Sequence, residues 1–234
     1  MEIDHKNTDR PQVLYEDNHL LALFKPAGLL VQGDRTGDPT LLEMAREYIA
    51  EKYNKPGRVY IGLVHRLDRP VAGVVIFART SKAAARICIQ IREHRMKKTY
   101  RAIVHGNLTP PEGEISGYII RHGTRSFISK PDMSKAQQAH LSYRTLEILS
   151  QFSLVEIHPG TGRHHQIRVQ MAGMGHPVLG DRKYGSAYSL PRKSIALLAK
   201  SLIITHPTRS EEILIESPTP EDWPWPPQDY ISGT

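Results

Sequence analysis

The apolar residues of this chain come in short blocks. Runs such as VVIFA (residues 74–78) and IALLA (residues 195–199) have the length and composition of buried strands. They fall far below the eighteen or so residues that a membrane span needs. The opening MEIDHKNTDR has no apolar signal region. With 234 residues and 39% hydrophobic content, the chain can bury a substantial core, and neither a repeat nor a linker interrupts it. These features predict a single soluble, intracellular α+β domain, with a mixed and largely antiparallel sheet flanked by helices and loops.

The order of elements follows from periodicity and punctuation. QVLYEDNHLLALFKPAG reads as a hairpin, with a strand over residues 12–15, a polar turn at Glu16-Asp17-Asn18, and an apolar strand stopped by KPAG. Asp38 as N-cap and Pro39 at the first helical position predict a helix over residues 41–53, with Leu41, Leu42, Ala45 and Ile49 on one face. The strands IGLV (61–64) and VVIFA come next. Ser81 then caps a helix reaching Glu93, its inner face formed by Ala84, Ile87, Cys88 and Ile91. Later segments predict strands at 115–120, 140–149 and 152–158, the last two paired as a hairpin. A helix over 164–173 is followed by strands at 195–205 and 212–216. The end, DWPWPPQDYISGT, docks its aromatics and then frays.

Charge is distributed unevenly. Residues 1–50 carry 5 Lys and Arg against 9 Asp and Glu, a net of −4, whereas residues 51–206 carry 25 against 9, a net of +16. A basic field of that size attracts a polyanion, and nucleic acid fits it better than a lipid surface. The only cysteine, Cys88, excludes an internal disulfide and a thiolate metal cluster; its place in a helix marks it as a packing residue.

Three segments can carry chemistry. In HRLDRPVAG (65–73), Arg66 and Asp68 leave the same face if strand geometry persists. An unpaired carboxylate between two buried strands is costly, so Asp68 needs cationic partners. The bland alternative is a surface ion pair in a loop. In GTGRHHQIRVQMAGMGHPVLGDRKYG (160–185), His164 and Arg168 line up on one face of the expected helix, a cationic strip where a phosphate or carboxylate can sit. The adjacent His164 and His165 have the wrong spacing for one metal on a helix, and no Asp, Glu or Cys accompanies them nearby. In REHRMKKTYRAIVHG, Arg92, Arg95, Lys97, Lys98 and Arg101 surround Tyr100, either as a solvated face or as a phosphate-contacting edge beside a base-stacking aromatic.

Taken in order, KPAG, HRLD with Gly73, KKTY and GRHHQIR resemble the motifs of the RluA family of pseudouridine synthases, over residues 13–205. HRLD, where the related RsuA branch has GRLD, points to the RluA branch. The resemblance implies the pseudouridine synthase fold with a central active-site cleft, followed by a Pro/Trp-rich tail at 217–234. No S4 domain is expected, HRLD beginning already at residue 65. It also implies detachment of uracil from its ribose and reattachment through C5, with no metal or organic cofactor.

Asp68 matches the catalytic aspartate, acting on the ribose C1′, on the uracil ring, or through a glycal route. Arg168 matches the basic residue that pairs with it, Tyr100 the tyrosine that packs on the target base, and Arg66 the arginine that fills the space of the flipped nucleotide. His65, Arg69, Arg95, Lys97, Lys98, Arg163, His165 and Gln166 complete the expected RNA-contacting set. RNA, ribosomal or transfer, is the implied partner of a cytoplasmic monomer with no obligatory protein partner. The chain departs from the family at Val71 and Ala72, where Thr-Ser is usual, at His164, where Thr is common, and at Gln32, where a histidine often stands. An idle RNA-binding module on the same fold, and a metal-dependent nuclease built on Asp68 and the histidines, are the competing readings.

Overall fold

Residues 10–227 are described by a computed structural model. They form two compact units: residues 10–96 with Leu202–Pro218, and Lys97–Ser201 with residues 219–227. Both are built on antiparallel strands, three α-helices accompany them, and the fold class is α+β.

In the first unit, β1 (Val13–Glu16) and β2 (Leu20–Lys25) make the expected hairpin. Its turn is closed by Asp17, whose Oδ1 accepts the N–H groups of His19 and Leu20, each at 2.8 Å. Helix α1 covers Leu41–Lys52, and β3 is only Gly62–Leu63, shorter than the expected four residues. β4 (Ala72–Ala78) pairs antiparallel with β2, placing Lys25 opposite Gly73. All seven residues of β4 are buried, which is why VVIFA shows no alternation of apolar and polar residues.

Both helix starts differ from the expectation. The N-cap of α1 is Thr40, not Asp38. Its Oγ1 accepts from Glu43 N–H at 3.2 Å while the Glu43 carboxylate accepts from Thr40 N–H at 3.0 Å, and this reciprocal box needs Glu at the third helical position. Asp38 instead pairs with Arg69 at 2.7 Å. Helix α2 (Ser81–Arg92) is capped by Thr80, and Ser81 is its first residue. Its buried residues are Ala83, Ile87 and Gln90, so the inner face is rotated from the predicted one and Cys88 is only half-buried. The polar Gln90 belongs inside because its amide donates to Thr205 O (2.8 Å) and accepts from Thr205 N–H (2.9 Å), like a strand neighbour.

The second unit begins with β5 (Lys97–His105), β6 (Glu112–His122), β7 (Arg125–Ser129), β8 (Gln137–Leu149) and β9 (Phe152–Pro159). Their order in space is β5-β9-β8-β6-β7. The β8–β9 hairpin is present as expected, with an irregularity between Thr145 and Glu147. β7 has no counterpart among the strands expected from the sequence. Helix α3 spans Gln166–Gly173, starting two residues later than predicted. The chain then passes through β10 (Leu197–Thr205), which begins in the second unit and ends in the first, to β11 (Glu212–Glu216).

Among the described residues no helix is long and apolar enough to cross a membrane. In the tail, Trp225 Nε1–H donates to Glu147 at 2.9 Å. The expected fraying concerns residues 228–234, which lie outside the described residues, as do residues 1–9 at the other end.

Candidate active site

The HRLD segment is an irregular loop between β3 and β4. Leu67 is buried, Arg66 is exposed and Asp68 half-buried. The alternation expected of a strand therefore survives without a ladder: the apolar side chain anchors the loop and its two charged neighbours are left accessible. His65 fixes the loop from the other side, its Nε2 accepting the Ile76 N–H of β4 at 3.0 Å.

Beyond Asp68 the loop is clamped to the KPAG turn. The Arg69 carbonyl accepts from Gly28 N–H (2.8 Å) and from Lys25 Nζ (3.1 Å). The Arg69 guanidinium donates to Gly28 O at 2.9 Å and reaches Asp38. Gly28 holds φ +90°, a conformation that glycine adopts without strain. The fully buried Lys25 donates also to Pro26 O (3.0 Å) and Leu29 O (2.8 Å), so three carbonyls receive the three ammonium hydrogens. Burial pushes Lys25 down to about 7; the Asp68 carboxylate opposes that shift and Arg69 adds to it. Lys25 is thus an electrostatic neighbour of Asp68 that sequence reasoning missed. The signal that could have found it is a lone charge ending the apolar strand LLALF.

After Asp68 the chain turns, Val71 N–H donating to Asp68 O at 3.1 Å. Val71 and Ala72 are 3% and 5% exposed. The two positions that carry hydroxyls in the resembling family are therefore core positions here, filled by apolar side chains. Gly73, with φ +127°, keeps the backbone conformation that a side chain would strain.

In the second unit, β5 places half-buried Tyr100 opposite Ile157 of β9. Lys98 is also half-buried and burial pushes its amine down. Its Nζ lies beside Gly162, where an added methyl would stand 3.4 Å away. The GTGRHHQIR turn is pinned to β8: Thr161 Oγ1 donates to Gln166 Oε1 at 2.7 Å, and Gln166 Nε2 donates to His140 O at 2.9 Å. Gly160 leaves room for the His140 ring, since a Cβ there would lie 1.8 Å from His140 Nε2 unless the ring moved aside.

His165 precedes α3 with φ +56°. His164 stacks on it at 3.8 Å between ring centroids and lies outside the helix. Arg168 is turned inward, donating from Nε to Asp181 Oδ2 (2.6 Å) and from Nη2 to Oδ1 (2.9 Å). The expected cationic strip of His164 and Arg168 is therefore absent, because one side chain precedes the helix and the other is 6% exposed and pairs with an interior carboxylate. Tyr184 lies over the Arg168 guanidinium at 5.1 Å. Its hydroxyl accepts from Ser126 N–H (2.8 Å) and meets His165 Nδ1 at 2.7 Å. Burial, then Arg168 and further cations, bring His165 down to about 2, so the ring is neutral. Asp181 and Tyr184 lie within GDRKYG, where nothing local marks them as partners of Arg168 and His165.

The remaining expected RNA-binding residues differ in accessibility. Lys97 and Arg66 are exposed, Arg95 is exposed and pairs with Glu93, and Arg163 Nε donates to Gln138 O at 2.8 Å. Gln166 is buried and organises the turn rather than presenting a surface.

Comparison with known proteins places these motifs. The profile of the family described as RNA pseudouridylate synthase matches residues 19–173, a span holding Asp68, Tyr100 and Arg168. Ribosomal large subunit pseudouridine synthase D of Pseudomonas aeruginosa is 34% identical over 92% of this chain and 70% of its own length. The tRNA pseudouridine synthase C of Pasteurella multocida is 32% identical over 91% and 93%. In three dimensions, human RNA pseudouridylate synthase domain containing 1 superposes with a TM-score of 0.73 at 26% identity, over 94% of this chain and 87% of its own. Human RNA pseudouridylate synthase domain containing 4 shares the fold, with a TM-score of 0.79 at 23% identity, over 91% and 90%. The chain belongs to the RluA family of RNA pseudouridine synthases, enzymes that isomerise uridine in RNA to pseudouridine.

Proposed function

We propose that Asp68 supplies the carboxylate on which this isomerisation depends. The observation that carries the reading is the setting of Asp68: half-buried, on a loop clamped through Arg69 to Lys25 and Gly28. Breaking the C1′–N1 bond develops positive charge on the sugar, and a fixed carboxylate stabilises it as nucleophile or counter-charge. Re-bonding through C5 displaces the C5 proton, and N1 gains one.

In this reading Arg168 is the basic partner of the aspartate, Tyr100 packs on the uracil, and Arg66 fills the place of the extruded nucleotide. An inserted side chain and a stacking aromatic lower the cost of flipping a base. Support comes from the match of these positions to the family's motifs and from the exposure of Arg66.

The RNA is a structured ribosomal or transfer RNA, met in the cytoplasm by a monomer without a protein partner. The two activities named for its relatives support both substrates, and the +16 charge of residues 51–206 supports a phosphate-rich ligand. Mapping pseudouridines in ribosomal and transfer RNA, from cells with and without the gene, tests this. Sites that vanish with the gene identify the target, and unchanged maps of both RNAs contradict the assignment.

A further inference from the structure

The basic run between α1 and β3, YNKPGRVY (53–60), belongs to none of the catalytic motifs. In the first unit it borders a cavity of about 170 Å³ whose floor is Ile49 and Val59 and whose walls are Lys55, Arg58, Tyr60 and Arg79. Lys55 and Arg58 are exposed, Tyr60 is 50% exposed, and the Arg79 side chain is 7% exposed.

The charge here is unbalanced for a structural reason. The nearby Glu16 carboxylate is saturated: Oε2 accepts from Tyr48 (2.8 Å) and Lys52 (2.7 Å), and Oε1 from Tyr53 (2.7 Å) and Arg79 (3.1 Å). One carboxylate thus serves Lys52 and Arg79 together, and Lys55 and Arg58 add two more cations at the rim. Glu51 faces Arg10, at 3.9 Å. The ring of Tyr53 is taken as well, with Arg79 4.6 Å and Lys52 and Lys55 each 5.8 Å from its centroid.

Tyr60 is the aromatic left for a ligand. Its hydroxyl lies against Gly62, where a Cβ would come within 2.8 Å. The glycine therefore lets the Tyr60 ring lie along the start of β3. Cations set around a cavity beside an accessible ring suit a phosphodiester and its neighbouring base.

We infer that this cavity is a second RNA-binding site, in which Lys55 and Arg58 receive a backbone phosphate of the substrate RNA and Tyr60 stacks on an adjacent base, against a wall formed by the paired Arg79. It rests on the reading of RNA as substrate and adds an anchoring point outside the reacting uridine. The cavity holds one phosphate and part of its nucleotide, so it grips RNA flanking the target. It strengthens binding without entering the chemistry.

The test uses the whole chain carrying Lys55→Ala with Arg58→Ala, and separately Tyr60→Ala and Tyr60→Phe. Melting temperature is checked first, and the altered side chains are exposed. Binding and turnover are measured on bulk transfer RNA and ribosomal RNA carrying C5-tritiated uridine. The expected result is a raised KM with kcat unchanged for the double variant. The slope of log affinity against log salt becomes shallower by about 1 for each phosphate that the variant no longer neutralises. Tyr60→Ala weakens binding without changing that slope, and Tyr60→Phe restores it.

Equal affinity and equal salt slope in wild type and double variant overturn the site. Adenosine triphosphate distinguishes a free nucleotide from RNA: millimolar nucleotide that binds wild type but not the double variant, and leaves the RNA affinity of wild type unchanged, assigns the cavity to small nucleotides and overturns the proposal. If wild type turns over neither RNA, the enzymatic reading fails. If it turns over RNA and the variants behave identically, only the anchor fails.

Discussion

Arg168 and Asp181 form a two-pronged ion pair inside the second unit, with nitrogen–oxygen distances of 2.6 and 2.9 Å and side chains 6% and 1% exposed. Removing one partner leaves an uncompensated buried charge, which typically costs about 3–5 kcal/mol. Asp181→Ala is expected to lower the melting temperature by roughly 10 °C, taking about 2–4 °C per kcal/mol for a chain of this size. Arg168→Met combined with Asp181→Leu should lose less than either alone. An Asp181→Ala variant that melts like wild type would show that the pair does not hold this region.

Lys25 gives the stability a dependence on pH. Its amine sits at about 7 in the folded chain, against an ordinary value of 10.5, so across that interval the unfolded chain binds more protons and wild type gains stability as pH rises. The cost of the buried charge is fully present below pH 7. The stability of wild type relative to Lys25→Met should therefore increase from pH 7 to pH 10, by at most about 1.4 kcal/mol per pH unit. Denaturant unfolding of both proteins at pH 7, 8.5 and 10 checks it; a difference independent of pH contradicts the assignment.

Asp17 acts in the opposite direction. Burial alone would raise its carboxyl, but the N–H groups of His19 and Leu20, Tyr15 and His206 outweigh that and bring it to about 2 from 3.8. Its contribution is present above about pH 4 and is lost as pH falls toward 2. Asp17→Asn should flatten the acid side of the stability profile over that window, as read by thermal melts. Identical acid profiles for the two proteins would remove Asp17 from the account.

Thr40 is the cap of α1. Thr40→Ala should cost about 1 kcal/mol, within the usual range for losing an N-cap, and Thr40→Ser should restore most of it. Unfolding curves that show no loss for Thr40→Ala, and a loss of that size for Asp38→Ala, would return the cap to Asp38.

The same residues mark where the chain is legible from sequence. Strands such as β4 and the β8–β9 hairpin are encoded locally, by apolar runs and short polar turns, and can be read to within a few residues. The helix starts are displaced because Asp38 and Ser81 are generic capping types, whereas Thr40 gains the position through a bond with Glu43 three residues away. β7 escapes because RSFIS is short and its Phe127 and Ile128 remain exposed, so it lacks the pattern of a half-buried strand. The site residues inside linear motifs are readable as candidates. Gln90 is not, because a buried glutamine is recognisable only from the backbone groups that receive it, and Lys25, though inside KPAG and marked as a lone charge ending LLALF, shows its burial only through the three carbonyls it meets. Arg168 reads as one face of a cationic strip and, through the family resemblance, as the partner of Asp68; its pairing with Asp181, thirteen residues on, is not legible.

The central claim is that Asp68 carries the isomerisation. Tritium release from C5-labelled uridine RNA, measured for wild type and Asp68→Asn alongside RNA affinity, tests it most directly. The expected result is release by wild type, none detectable from Asp68→Asn, and affinities within a few fold of each other, since the substitution keeps the shape and removes the charge. Comparable release by Asp68→Asn would contradict the claim. A wild-type chain that binds RNA and releases no tritium would make the fold an RNA-binding module instead.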